Sequence, residues 1–345
     1  MEVRASNSYD FVRFCAASGV LFSHHFALAK LPEPPVPGYG EDFGKLAVEV
    51  FFCLSGFLIC GSLQKSTDWA QFISARFLRI FPNLTFALIL TSATTLFWYG
   101  NYVNFTFHVK YVVRNLLMFV KGVSYVIPGI FTDAAYPAVN GPLWSLPSEL
   151  WLYVLLFLFF VLGGRRVGGC IIVGALFLSI AWGVAPLTGD LILPPFDTFQ
   201  FFRLGSFFLS GAVLAVYWSY IENRAMTVGA IALVAIILIR NLLPIETILH
   251  SLALATVVVG LGSTKAMAWF SKGGDASYGM YIFAWPIQQF CLLLFHTFWL
   301  SLLVAFLTTV ALGYTTWHTF EYRAMASRKR VAESLRKLTS VELWT

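Results

Sequence analysis

The sequence predicts an all-α integral membrane protein, a bundle of about ten transmembrane helices with both termini cytoplasmic. Three observations predict it. Of 345 residues, 58% are hydrophobic and only 12% charged, with a mean hydropathy of +0.75. A soluble domain carries roughly a quarter charged residues, because its surface must be wetted. The apolar residues also fall in runs that match the about 20 residues a helix needs to cross hydrocarbon. They lack the ten-residue alternation of a membrane barrel, the other structure that pairs its whole backbone in lipid. Finally, the basic residues segregate: about 16 fall on one side of the predicted topology and about 6 on the other, the asymmetry of the positive-inside rule. A soluble enzyme, a disordered chain and a disulfide scaffold are excluded.

The spans lie near 11–29, 44–64, 82–99, 144–162, 168–187, 199–219, 226–243, 247–262, 277–295 and 300–320. The inside then carries Arg4, Arg13, Lys65, Arg76, Arg79, Arg165, Arg166, Arg224, Lys265, Lys272 and the basic tail. The outside carries Lys30, Lys45, Lys110, Arg114, Lys121 and Arg240. The net charge of +6 reflects orientation and anionic lipid, not nucleic acid. Ala27-Leu28-Ala29 has the form of a signal-peptidase site, but Arg13, His24 and His25 would be odd passengers in a disposable segment, so the first run is read as a span. The five cysteines (Cys15, Cys53, Cys60, Cys170, Cys291) all fall in spans without metal-like spacing, and act as small packing residues. No repeat of fixed period is present. Residues 1–326 form the transmembrane domain. Within it an outer loop, 100–143, holds a semi-apolar patch from Tyr111 to Ile130 that reads as interfacial or re-entrant. Residues 327–345 form a basic cytoplasmic tail, a helix on the inner leaflet.

Ionisable residues inside spans are expensive and therefore functional candidates. The first span holds Asp10, Arg13, His24 and His25. Arg13 and His24 are eleven residues apart, so they share a helix face roughly 16 Å apart along the axis. Snorkelling accounts for Arg13 alone, and a carbonyl-bonded core histidine for His24 alone. A His-His pair in lipid weakens the latter, with either ring open to the structural part. Glu49 precedes Phe51–Ile59, whose Ser55-Gly56 makes a notch for close helix approach; it either reaches water or belongs to a site. Arg76 and Arg79 open the third span at i and i+3, with Pro82 in its first turn. They read as a topogenic cluster or as a phosphate clamp. Glu149, in Trp144-Ser145-Leu146-Pro147-Ser148-Glu149-Leu150-Trp151, suits a helix start, but that leaves two tryptophans, a proline and the serines unexplained. Trp144 and Trp151 are belt residues or a sugar-stacking platform. Arg203 starts the sixth span, Tyr278 and Tyr281 the ninth, and Glu321 ends the tenth.

These residues resemble the acyltransferase 3 family of membrane acyltransferases, and within it the O-antigen and surface-polysaccharide O-acetylases. The likeness rests on Asp10 to His24, with Arg13, ten residues and His24; on Phe51–Ile59; on Arg76-Phe77-Leu78-Arg79-Ile80-Phe81-Pro82; and on Trp144–Tyr153. It continues through Arg203–Leu214, Ser277-Tyr278-Gly279-Met280-Tyr281 and Phe320-Glu321. Each motif is weak alone; seven in order from about residue 9 to 323 are strong. Many members have a histidine after the Ser-Tyr-x-x-Tyr motif, where this chain has Ala284-Trp285-Pro286, so no catalytic role carries over there. Some members carry a fused hydrolase-like domain; here transfer is expected to finish within the membrane domain or on a partner protein.

The resemblance implies transfer of an acyl group, usually acetyl, from cytosolic acetyl-CoA to a hydroxyl of a cell-surface carbohydrate such as lipopolysaccharide O-antigen or exopolysaccharide. It implies an inner-membrane enzyme with acetyl-CoA as co-substrate, no permanently bound cofactor and no metal. The predicted depths fit that reaction. Arg13, Arg76 and Arg79, with Tyr278 and Tyr281, fall to the acyl-CoA donor. Glu49, Trp144, Ser148 and Arg203 fall to the acceptor side. His24 is the general base, since imidazole titrates near neutrality, with His25 the open alternative and acyl-histidine the mechanistic runner-up. Glu149 orients the histidine or binds the acceptor. A polytopic transporter or lipid-linked-sugar flippase would also bury charges, but usually shows inverted repeats and interrupted helices, which this sequence lacks. A scaffold for a polysaccharide machine would leave the Arg13–His24 alignment idle.

Overall fold

The computed structural model describes residues 7–66, 68–100, 103–188, 192–193, 195–239 and 246–339. Arg4, Arg240 and the tail from 340 lie outside them. The described chain is helical apart from a two-residue antiparallel pairing of Ile192–Leu193 with Phe196–Asp197 and one bridge between Pro35 and Asp42. In order come α1 (Tyr9–Leu28), α2 (Phe43–Lys65), α3 (Trp69–Tyr99), α4 (Phe105–Leu116), the one-turn α5 (Met118–Lys121), α6 (Ser145–Gly163) and α7 (Val167–Thr188). There follow α8 (Thr198–Ile221), α9 (Ala225–Ile239), α10 (Glu246–Ser263), α11 (Ser277–Leu294), α12 (Phe298–Thr316), α13 (Tyr322–Ala326) and α14 (Arg328–Thr339).

Among the described residues, seven helical stretches are long and apolar enough to cross a membrane: Tyr9–Leu28, Phe43–Lys65, Trp69–Tyr99, Gly141–Gly163, Val167–Val184, Thr198–Ile221 and Phe298–Ala326. Ala225–Ala235 and Ile248–Ser263 are shorter apolar helices. The chain divides into two compact units, and α1 contributes its first half to one and its last turns to the other.

The first unit comprises residues 1–20, 33–61 and 144–273. Within it α2 and α8 cross at backbone contact. A Cβ on Gly56 would overlap the Phe208 carbonyl, and one on Gly211 would overlap the Cys53 carbonyl. The two Ser-Gly pairs, Ser55-Gly56 and Ser210-Gly211, thus let two backbones touch, as small residues do between membrane helices. Gly229 and Gly260 do the same for α9 and α10. The start of α1 is anchored on the end of α10, where Ser8 N donates to Gly262 O (2.8 Å) and Ser8 Oγ to Thr264 O (2.9 Å).

The second unit comprises residues 21–32, 62–143 and 274–345. Here the predicted third span needs correction. Asp68 caps the helix by accepting from Ala70 N (3.0 Å), so α3 begins at Trp69 and runs 31 residues. Arg76 and Arg79 therefore sit inside it rather than opening it, and Pro82 is mid-helix. A proline there removes one ladder bond and loosens the turn; nearby, the Ile80 carbonyl accepts from the Tyr278 hydroxyl (2.9 Å). α11 and α12 approach closely where Gly279 meets Gly313. The patch from Tyr111 to Ile130 is a helix only to Lys121. α4 buries His108, Tyr111 and Asn115 and exposes Phe105, Val109 and Val113. Ser92 Oγ bonds His108 Nδ1 (3.0 Å), and Asn115 closes the following turn through Ser124. The basic tail forms α14, which buries Ala332 and joins Arg336 to the capping residue Asp68.

Candidate active-site residues

In the first unit, three of the predicted residues, Glu49, Arg203 and Glu149, fall in two polar groups. Glu49, placed by α2, is 1% exposed and Arg203, placed by α8, is 4% exposed. Arg203 Nη1 donates to Glu49 Oε1 at 2.6 Å, and Arg203 Nε donates to Gln200 Oε1 at 3.0 Å. Glu49 therefore does not reach water; it neutralises an arginine. Its other oxygen, Oε2, accepts from the Tyr39 hydroxyl at 2.5 Å. Burial, then the Glu49 carboxylate, pushes that hydroxyl above its ordinary pKa and keeps it a donor. The second group centres on Glu149, whose Oε1 accepts from Ser55 Oγ (3.3 Å) and from the Tyr153 hydroxyl one turn on. α6 begins at Ser145 after the 3-10 turn Gly141–Trp144, so Glu149 lies past the first turn and caps nothing. Ser148 is buried and Trp144 half-buried. Arg13 is half-buried on α1.

In the second unit, the adjacent histidines differ. His25 is fully buried, with Nε2 2.9 Å from Ser301 Oγ, whose hydroxyl donates onward to Phe298 O (2.8 Å). His24 is half-buried and stands edge-on to Trp285, ring centroids 5.1 Å apart. The Trp285 indole N–H donates to Ala138 O (2.8 Å), and Gln288 of the same helix donates to Leu21 O (2.7 Å). α11 thus fixes both the ring beside His24 and the backbone three residues before it.

The same unit holds a dense ionic cluster on α3. Arg79 Nη2 donates to Asp275 Oδ2 (2.5 Å) and Nη1 to Glu321 Oε2 (3.0 Å). Glu321 also accepts from Asn83 Nδ2 (2.5 Å), and Asp275 accepts from Ser277 at the start of α11. The rings of Trp317 and Tyr278 lie 5.4 and 5.7 Å from the guanidinium carbon. Trp317–Glu321 winds as a π turn, a form frequent at functional sites. Arg76 lies three residues earlier, half-buried, 6.0 Å from the Phe72 ring centre. Tyr281 is buried and its hydroxyl donates to Pro142 O (2.9 Å). Sequence reasoning named Arg79 and the tyrosines but missed Asp275, Asn83, Trp317 and Tyr39. Asp275 carried one signal, as an Asp two residues before a helix-opening Ser.

The acyltransferase 3 family, described as an acyltransferase domain, matches residues 6–318. The chain is 30% identical over 334 residues to an "O-acetyl transferase" of Shigella phage Sf6, covering 92% of this chain and 96% of that one. It is 26% identical over 360 residues to "Nodulation protein 10" of Rhizobium leguminosarum bv. viciae, covering 93% and 94%. No solved structure matches.

Proposed function

The chain belongs to the acyltransferase 3 family of membrane acyltransferases, and from that premise we propose that it moves an acetyl group from cytosolic acetyl-CoA to a hydroxyl of a cell-surface carbohydrate, such as an O-antigen or exopolysaccharide. The observation that carries the reading is the end-to-end match to a phage protein named an O-acetyl transferase. In this reading α9, α10 and α11 join the seven longer stretches to make ten spans in the inner membrane, with both termini cytoplasmic, as the basic residues favour.

His24 is the general base. It takes the acceptor hydroxyl proton as the oxygen attacks the thioester carbonyl. The adduct collapses, the C–S bond breaks, and the imidazolium returns the proton to the CoA thiolate, leaving an ester and free CoA. What favours His24 over His25 is that His25 already serves Ser301 in a fully buried bond. Arg76 and Arg13 are assigned to the donor's phosphates, which suit guanidinium. Arg79, held by two carboxylates, acts with Tyr278 and Tyr281 to shape the α3–α11 wall on the donor side. Glu149, Glu49, Arg203, Ser148 and Trp144 are assigned to the acceptor.

The test is to incubate membranes holding the wild-type chain, or none, with radiolabelled acetyl-CoA and extract the polysaccharide. Label that requires the chain, and falls at least tenfold in Glu149→Ala, is expected. Membranes rich in folded chain that label no carbohydrate would overturn the reading.

A further inference from the structure

We propose that Tyr39 is a positioning residue that fixes Glu49, and through it Arg203, for recognition of the carbohydrate acceptor. The inference rests on the acceptor-side reading of that pair given above.

Both oxygens of the buried Glu49 carboxylate are committed, Oε1 to Arg203 and Oε2 to Tyr39. A buried ion pair holds one geometry only if its remaining lone pairs are also satisfied. Tyr39 supplies the bond that neither α2 nor α8 provides. It comes from outside those helices, from the segment 33–42 before α2.

That segment is folded to deliver one side chain. Val36 N donates to Glu41 O (2.8 Å), Tyr39 N to Val36 O (3.0 Å), and Pro35 bridges Asp42. Gly38 and Gly40 take φ of 73° and 84°, values a Cβ disfavours, and so reverse the chain on each side of Tyr39. Pro37, Gly38 and Gly40 face out, while Tyr39 is 8% exposed. Its ring meets His250 edge-on at 4.8 Å, and His250 meets Phe207 of α8 at 5.6 Å. A single inward side chain in an otherwise open loop, ending on a carboxylate that holds an arginine, makes the loop's closure and the direction of Arg203 one event. Removing the hydroxyl frees Glu49 Oε2 to turn and unfixes Arg203, without touching the groups assigned to the donor or to proton transfer.

Tyr39→Phe keeps the ring and removes only the hydroxyl. The purified variant would be compared with wild type in acetyl transfer to the lipopolysaccharide that wild-type membranes label, varying each substrate in turn. We expect acceptor KM to rise about tenfold, the scale of one hydrogen bond to a charged group, with kcat and the KM for acetyl-CoA within about twofold by the same argument. Cleavage of the folded chain after Glu33 or Glu41 by a glutamate-specific protease should also quicken. Gly40→Ala, which strains the turn and leaves the hydroxyl intact, should move acceptor KM in the same direction. An unchanged acceptor KM in folded Tyr39→Phe, or an equal loss with both substrates, overturns the inference while leaving the acyltransferase reading in place. A wild-type chain that acetylates no carbohydrate overturns the acceptor reading itself, and this inference with it.

Discussion

Glu321 Oε2 lies 3.0 Å from Arg79 Nη1, and the glutamate that makes this contact closes a π turn, Trp317–Glu321, at the end of α12. A π turn rotates the side chains that follow it relative to a regular helix. Here it sets Glu321 and Trp317 about the guanidinium that Asp275 holds from the start of α11. One arginine therefore ties α3 to the ends of two other helices. Gly274, at φ 94°, is part of the device, since a Cβ there would overlap the Trp317 indole.

Removing that arginine should unfold more than a binding contact. Arg79→Ala leaves two buried carboxylates facing each other, and breaking a buried ion pair typically costs about 3–5 kcal/mol. Arg79 keeps 17% side-chain exposure, which places the cost towards the lower end. Thermal unfolding in detergent should show a marked fall for Arg79→Ala and a smaller one for Arg79→Lys. Wild-type stability in Arg79→Ala would mean the cluster is not a structural tie.

The α2–α8 crossing gives a sharper contrast. Gly56→Ala and Gly211→Ala each drive a methyl into a backbone carbonyl of the facing helix, which nothing but helix separation relieves. Both should abolish accumulation of folded chain. Gly61→Ala, on the same helix with no atom within 4 Å of the added Cβ, should be neutral or stabilising by about 0.5–1 kcal/mol through helix propensity. Monodispersity after detergent extraction measures all three.

The docking of α4 on α3 should weaken in acid. Burial lowers the affinity of His108 for a proton. The unfolded histidine, near pH 6.5, therefore binds a proton before the folded one does. Stability is full above about pH 6.5 and falls as the pH drops below it. Hydrogen exchange across Phe105–Leu116, corrected for intrinsic rates, should speed up at pH 5 relative to pH 7.5. In His108→Gln that dependence should disappear.

Seven of the ten expected spans match a helical stretch long and apolar enough to cross a membrane, because lipid imposes length and apolarity residue by residue. The Ser55-Gly56 notch was legible because small residues in a span have few other uses. The start of α3 was not. Arg76, Arg79 and Gln71 dilute the hydropathy of its first three turns, and the Asp68 cap sets the start well before the one that Pro82 suggested. The partners of Arg79 and Glu49 were hidden for a different reason. Asp275 is 196 residues from Arg79, and Arg203 is 154 from Glu49, so only the folded chain brings them together. Tyr39 gave no signal at all, since a Gly-Tyr-Gly in a proline-rich loop reads as a turn.

The central claim is that the imidazole of His24, rather than that of its neighbour, moves the proton. The direct measurement is acetyl transfer by His24→Ala and His25→Ala at matched amounts of folded, membrane-inserted chain. A general base contributes about 10²–10⁴-fold, so His24→Ala should lose that much turnover at unchanged stability. His25→Ala should chiefly lose stability, through Ser301, and keep turnover per folded molecule. Wild-type turnover in folded His24→Ala would contradict the account.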